Sequence, residues 1–297
     1  MAVEAPPAAP SLGASLLRAM RPRQWVKNVL VAATPLAAGR LNESTVLVGT
    51  IAAIACFCAA SSAVYLFNDV CDAAADRQHP TKRYRPVAAG LVSPRTALLV
   101  SAGLAVVCLL AASVLDLRFF AVVSAYLVLQ AAYGLGLKHQ AVLDIAIVAS
   151  GFLLRAVAGG LATDIPVSNW FLMVAGFGSL FMIAGKRYSE LLQLGSDMGT
   201  RRSLAGYTDT YLRFVWSAAA AVTITGYCLW AFSVPPSTAV PWQEISIVPF
   251  VLAILRYAIN VDAGEAGEPE DIVLRDRVLQ VLGLVWLACV ALGVFSA

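Results

Sequence analysis

A succession of apolar segments separated by short polar ones most constrains what this chain can fold into. Nine stretches, near residues 26–40, 44–67, 96–115, 118–136, 141–162, 169–186, 210–233, 243–260 and 278–296, are dominated by apolar side chains. Most approach or exceed the roughly 20 residues that an α-helix needs to cross a bilayer. Inside hydrocarbon each backbone polar group must find its partner within the protein, which makes such runs helical. The 297 residues are 60% hydrophobic and 13% charged, against about 25% charged in a soluble domain. The expected fold class is therefore all-α: a polytopic membrane protein with nine transmembrane helices. Pro35 and Pro249 interrupt the first and eighth segments, where neighbouring groups must satisfy the freed carbonyls.

The basic residues sort by loop. Eighteen of the 21 lie in the N-terminal stretch up to Lys27 and in every second loop thereafter or within about one helical turn of its ends, leaving Arg40 and Arg118 on the opposite side and Arg155 deep within a segment. The positive-inside rule places the basic loops in the cytoplasm, with the N-terminus inside and the C-terminus outside. Residues 1–24 are expected to be a disordered cytoplasmic tail with no cleavable signal peptide, and 25–297 a single membrane domain. Cys56, Cys58, Cys71, Cys108, Cys228 and Cys289 show no disulfide framework, and two histidines make a His-built metal site unlikely to arise. No nucleic-acid partner is expected; the bilayer is the surrounding medium, and the oligomeric state stays open, a homo-oligomer included.

One loop is chemically dense. "FNDVCDAAADRQHPTKRYRP", residues 67–86, follows the second apolar segment. If the helix continues, Asp69, Asp72 and Asp76 fall at i, i+3 and i+7 on one face. Carboxylates stacked in this way repel unless a cation bridges them. Oxygen-only ligands suit Mg²⁺, which commonly uses one or two carboxylates plus substrate phosphates. Lys82, Arg83 and Arg85 follow at once and suit phosphate oxygens. The stretch reads as a site for Mg²⁺-diphosphate at the membrane surface; the bland alternative is a solvated helix end of mixed charge.

"NDVCDAAAD" resembles the NDxxDxxxD signature of the UbiA superfamily of intramembrane prenyltransferases, and the resemblance extends over nearly the whole chain. It implies a UbiA-like helical bundle with its active-site loops on the cytoplasmic side of the plasma membrane. "RPRQWVKN" (21–28), "DRQHPTKRYRPVAAG" (76–90), "SLFMIAGKRYSEL" (179–191) and "PEDIVLRDRVL" (269–279) are similar to the phosphoribosyltransferase branch. That closer likeness implies a Mg-dependent glycosyltransferase. It would move 5-phosphoribose from phosphoribosyl diphosphate to a polyprenyl (decaprenyl) phosphate and release diphosphate, for arabinan precursors of the cell wall. Ordinary superfamily members carry a second aspartate motif in the sixth-to-seventh loop. Here "GKRYSELLQLGSD" offers Lys186, Arg187, Tyr188 and Glu190, with Asp197 further on. Bases in place of carboxylates fit a donor with an additional phosphate, as on ribose C5.

The resemblance implies that Asp69, Asp72 and Asp76 hold Mg²⁺ as the catalytic centre and that Asn68 orients a phosphate or metal-bound water. Lys82, Arg85, Lys186 and Arg187 would clamp phosphates, with Tyr188 on the ribose or acceptor. Lys27 and Asn28 open the first segment either as a pocket edge or as a snorkelling anchor. Lys138 binds the lipid phosphate or anchors the topology. Asp144 and Arg155, about 16 Å apart along one helix, cannot readily pair with each other. Two rival functions remain: a UbiA-type transferase moving a prenyl group to an aromatic acceptor, and a transporter of anionic solutes. The one-sided aspartates argue against transport.

Overall fold

The computed structural model describes residues 11–194, 204–234, 239–267 and 269–295. It opens with α1 (Leu12–Met20), a 3₁₀ helix over Pro22–Ala32 and α2 (Ala33–Ala37). Then come α3 (Ser44–Cys71), α4 (Ala73–Gln78), α5 (Pro94–Leu115) and α6 (Leu117–Leu135). These are followed by α7 (Leu143–Ala162), α8 (Asn169–Leu194) and α9 (Asp209–Ser233). The chain ends with α10 (Trp242–Ile245), α11 (Ile247–Asp262), α12 (Pro269–Arg275) and α13 (Arg277–Phe295).

Among the described residues, eight helical stretches are long and apolar enough to cross a membrane, and they coincide with the second to ninth expected segments. Pro249 falls in the first turn of α11, where its missing N–H would have had no intrahelical partner. The first expected segment is built differently. A 3₁₀ run over Pro22–Ala32 leads into the short α2, so it is not a single apolar α-helix. Leu99, Val114 and Leu284 are strongly exposed on the outer faces of their helices, as a lipid-facing surface requires.

The chain divides into two compact units. In the first (1–29 and 54–135), Leu66, Val87, Val92 and Ala97 form a core with Ala19 of α1, and Phe57 packs against Phe119 and Tyr126. In the second (30–53 and 136–297), Phe181, Tyr188, Leu212, Tyr257 and Val261 gather from α8, α9 and α11. All six cysteines are free.

Two expectations need correction. Residues 12–20, assigned to a disordered tail, form a helix: Ser11 caps it by accepting from Ala14 N at 3.3 Å, and Ala19 is buried. The carboxylate ladder is also not one uninterrupted helix. Asp72 lies at the junction between α3 and α4 and is less buried than Asp69 or Asp76. Hydrogen bonds from Asp72 N to Asn68 O (2.9 Å) and Asp76 N to Asp72 O (2.8 Å) carry the helical path across it.

Candidate active site

In the first unit, the end of α3 and the loop after α4 bring charge together. Asp69 is 1% exposed and Asp76 3%, so each needs a compensating cation. Arg85 supplies one to both: its Nη1 lies 2.7 Å from Asp76 Oδ2 and 3.5 Å from Asp69 Oδ1. Arg21, in a left-handed conformation at the end of α1, donates from Nη2 to Asp69 Oδ1. Its guanidinium also lies over the Tyr65 ring at 4.9 Å, a cation–π contact that fixes its direction. Beside these groups opens a cleft of about 160 Å³ lined by Arg18, Arg21, Asp69, Thr81, Tyr84, Arg85 and Pro86. Three arginines on one small cleft are suited to phosphate oxygens.

Two buried oxygens next to this cluster lack hydrogen-bond partners among the described residues: Asn68 Oδ1 and Asp69 Oδ2. Such atoms are costly unless something completes them. Gly134 on α6 leaves the space for one of them, because a Cβ there would stand 2.2 Å from Asn68 Oδ1. Adjacent carbonyl and carboxylate oxygens are the donor type Mg²⁺ takes, and one or two carboxylates suffice when substrate phosphates complete the shell. The residues therefore fit the metal, with Asn68 and Asp69 at its edge. No group of three or more His, Cys, Asp or Glu among the described residues is arranged to hold a metal by protein ligands alone.

The second unit holds a buried polar network. Asp144, fully buried at the start of α7, accepts from Arg187 Nε at 2.9 Å through Oδ2 and from the Tyr207 hydroxyl through Oδ1. Arg187 Nη1 donates to Glu190 Oε2 at 2.8 Å. The Tyr207 hydroxyl accepts in turn from Val142 N at 2.6 Å. Burial and the neighbouring Asp144 push the Tyr207 hydroxyl well above its ordinary pKa, so it stays a proton donor throughout the working range of pH.

The expected site residues meet different fates. Asn68, Asp69, Asp76 and Arg85 lie close together, and Asp72 sits at their margin. Lys82 shares their loop, its N–H directed at His79 Nδ1 at 3.3 Å. Asn28 is fully buried and donates to Ser61 Oγ (3.3 Å) and Cys58 Sγ (3.2 Å), while Lys27 beside it is half-buried. Lys138 and Lys186 are half-buried on a 3₁₀ turn (Leu137–His139) and on α8. Arg187 and Glu190 face each other inside the network. Tyr188 lies in the core, its hydroxyl accepting from Arg213 Nη2 at 2.6 Å. Arg155 donates to Gly151 O at 2.7 Å. Asp197, Arg201 and Arg202 lie outside the described residues. Sequence reasoning missed Arg18, Arg21, Thr81 and Tyr84 as cleft residues; their signal was only the basic stretch before the first segment and the loop composition.

The apolar helices and the charged cleft at the end of α3 are those of an integral membrane protein with a polar site at one helix end. The chain belongs to the UbiA prenyltransferase family, whose model matches residues 29–275. It is 52% identical to a decaprenyl-phosphate phosphoribosyltransferase of Mycobacterium tuberculosis, over 98% of this chain and 97% of that protein. It is 48% identical to the protein of that name from Corynebacterium glutamicum, over 96% of this chain and 88% of that one. Among solved structures, a UbiA homolog from Archaeoglobus fulgidus bound to DMAPP and Mg²⁺ superposes with a TM-score of 0.72. The match covers 95% of this chain and 99% of that one at 17% identity, a likeness of fold.

Proposed function

We propose that this multi-pass membrane protein transfers 5-phosphoribose from phosphoribosyl diphosphate to a polyprenyl phosphate and releases diphosphate. The observation that carries the reading is the cleft beside Asp69, where arginines and unsatisfied oxygens adjoin. It occurs in a chain about half identical, end to end, to proteins named for this transfer.

In the reaction the C1–O bond to diphosphate breaks as a bond from the acceptor phosphate oxygen to C1 forms, and positive charge develops on the ribose ring. Asn68 and Asp69, with Asp72 and Asp76 nearby, would hold Mg²⁺, whose charge would offset that of the departing diphosphate. Arg18, Arg21 and Arg85 bind phosphate oxygens in the cleft. Arg85 can exchange its hold on Asp76 for a substrate phosphate because it is 28% exposed. Lys82, on the same loop as Arg85, is assigned to a further phosphate of the donor, and Lys138 and Lys186 to phosphate binding within the second unit. The acceptor phosphate is already anionic, so no general base is required. The polyprenyl tail stays in the bilayer. The cleft faces the cytoplasm, where a water-soluble donor is available, as the basic loops indicate.

Diphosphate release by purified protein tests this. It should require phosphoribosyl diphosphate, a polyprenyl phosphate and Mg²⁺ together. Release that proceeds equally without the lipid phosphate contradicts the proposal.

A further inference from the structure

One buried carboxylate in the second unit holds two separate parts of the chain directly and a third through the Tyr207 hydroxyl. Asp144 has no exposure, yet both its oxygens are satisfied, by Arg187 of α8 and by Tyr207 at the far end of the connection from α8 to α9. A buried carboxylate so paired resists displacement, because removing one partner leaves an uncompensated charge. The third part is the loop before α7. Val142 there adopts φ +71° and ψ −49°, a conformation that β-branched residues rarely take and that costs on the order of 1–3 kcal/mol. What holds it is the hydrogen bond from Val142 N to the Tyr207 hydroxyl. Gly206 permits the approach: a Cβ there would lie 3.0 Å from the Ala141 side chain. Tyr207 is itself stacked on Tyr211, with ring centroids 5.8 Å apart.

The segments tied in this way are functionally loaded. Lys138 lies four residues before Val142, and Lys186 immediately precedes Arg187. Both lysines are half-buried, so their reach depends on the backbone that presents them. A strained residue held by a buried hydrogen-bond chain is a device for fixing a loop in a geometry it would not otherwise keep.

We propose that Asp144 and Tyr207 are positioning residues that lock the Lys138 loop and the Lys186 turn of α8 into one phosphate-binding arrangement. The inference deepens the proposed function and rests on it for the role of the two lysines. Neither Asp144 nor Tyr207 touches substrate; each acts through the segment it holds. Tyr207→Phe keeps the ring and its stacking but removes the hydroxyl that joins Val142 to Asp144.

The test measures binding of inorganic diphosphate and of phosphoribosyl diphosphate, each with Mg²⁺, to full-length protein in lipid nanodiscs, together with steady-state kinetics. Tyr207→Phe should weaken phosphoribosyl diphosphate binding about tenfold, on the scale of one charge-assisted hydrogen bond. KM should rise more than kcat falls, and amide exchange over 137–143 should quicken. Asp144→Asn should act in the same direction. The decisive comparison uses the Lys138→Ala/Lys186→Ala background: there Tyr207→Phe should add almost nothing, because its route to the substrate is gone. A Tyr207→Phe variant that binds like the wild type, or whose loss is undiminished in the lysine-free background, overturns the proposal. If Tyr207→Phe fails to fold, Asp144→Asn is judged by the same two criteria. A wild type that binds inorganic diphosphate yet transfers no phosphoribose contradicts the proposed function instead, and the variants still decide the positioning role through diphosphate binding and amide exchange.

Discussion

Arg85, which lines the cleft, forms an ion pair of 2.7 Å with Asp76, and the same Arg85 nitrogen reaches to 3.5 Å from Asp69. One guanidinium thus neutralises two carboxylates that would otherwise repel each other across a buried boundary. The Arg85 side chain is also 28% exposed.

Arg85→Ala should therefore act twice, freeing two buried carboxylates to repel and removing a phosphate donor. A lost hydrogen bond to a charged group costs about 1.5–3 kcal/mol, so kcat/KM should fall by about tenfold to a hundredfold. Arg85→Lys, which keeps the charge and loses the fork, should fall between. Steady-state kinetics check both; wild-type values for Arg85→Ala would remove this residue from the site.

Gly134→Ala places a Cβ against Asn68 Oδ1. Activity should drop steeply, although alanine favours helix over glycine by about 1 kcal/mol. The double variant Gly134→Ala/Asn68→Ala relieves the clash, so it should be no worse than Asn68→Ala alone. A Mg²⁺ titration of each variant measures the apparent metal requirement. Equal requirements in Gly134→Ala and wild type would show that Asn68 does not face the metal.

Asp69→Asn should cost on the order of 3 kcal/mol of transition-state stabilisation, more than a hundredfold in rate. Chelation should abolish wild-type activity, and Mg²⁺ should restore it. Near-normal turnover by Asp69→Asn and Asp72→Asn would rule out the end of α3 as the metal centre.

Acid stability should report on Asp276, between α12 and α13. The guanidinium of Arg256, 2.7 Å away, holds its carboxyl below the usual range, helped by the Leu279 N–H. A depressed folded-state pKa stabilises the fold above the ordinary Asp value, about 3.9, and the contribution is lost as pH falls below it. Arg256→Gln should flatten that dependence. Thermal unfolding from pH 7 down to 3 would show it; identical acid profiles would count against the pair.

Much of this architecture is written in local sequence. The helices α3, α5, α6, α7, α8, α9, α11 and α13 follow from apolar runs that hydrocarbon can accommodate only as helices. The first segment was not legible as a 3₁₀ helix, because hydropathy reports burial in lipid and not the hydrogen-bond pattern of the backbone. The tail reading failed at Ser11, whose cap lets a short helix begin inside a Pro-rich region. The proximity of Asn68, Asp69 and Asp76 was legible because they lie within ten residues of one another. The pairing of Asp144 with Arg187 was not: the partners are 43 residues apart, and only packing of α7 against α8 joins them. The same limit hid Arg21 as the partner of Asp69, 48 residues away.

The central claim is tested most directly by following the phosphoribosyl group itself. Purified protein with Mg²⁺, a polyprenyl phosphate and phosphoribosyl diphosphate labelled in the ribose should move label into the organic phase on extraction. The transfer should be lost in Asp69→Asn. Label that stays aqueous while a prenyl diphosphate is consumed with an aromatic acceptor would contradict the account and make this chain a prenyltransferase in the ordinary sense.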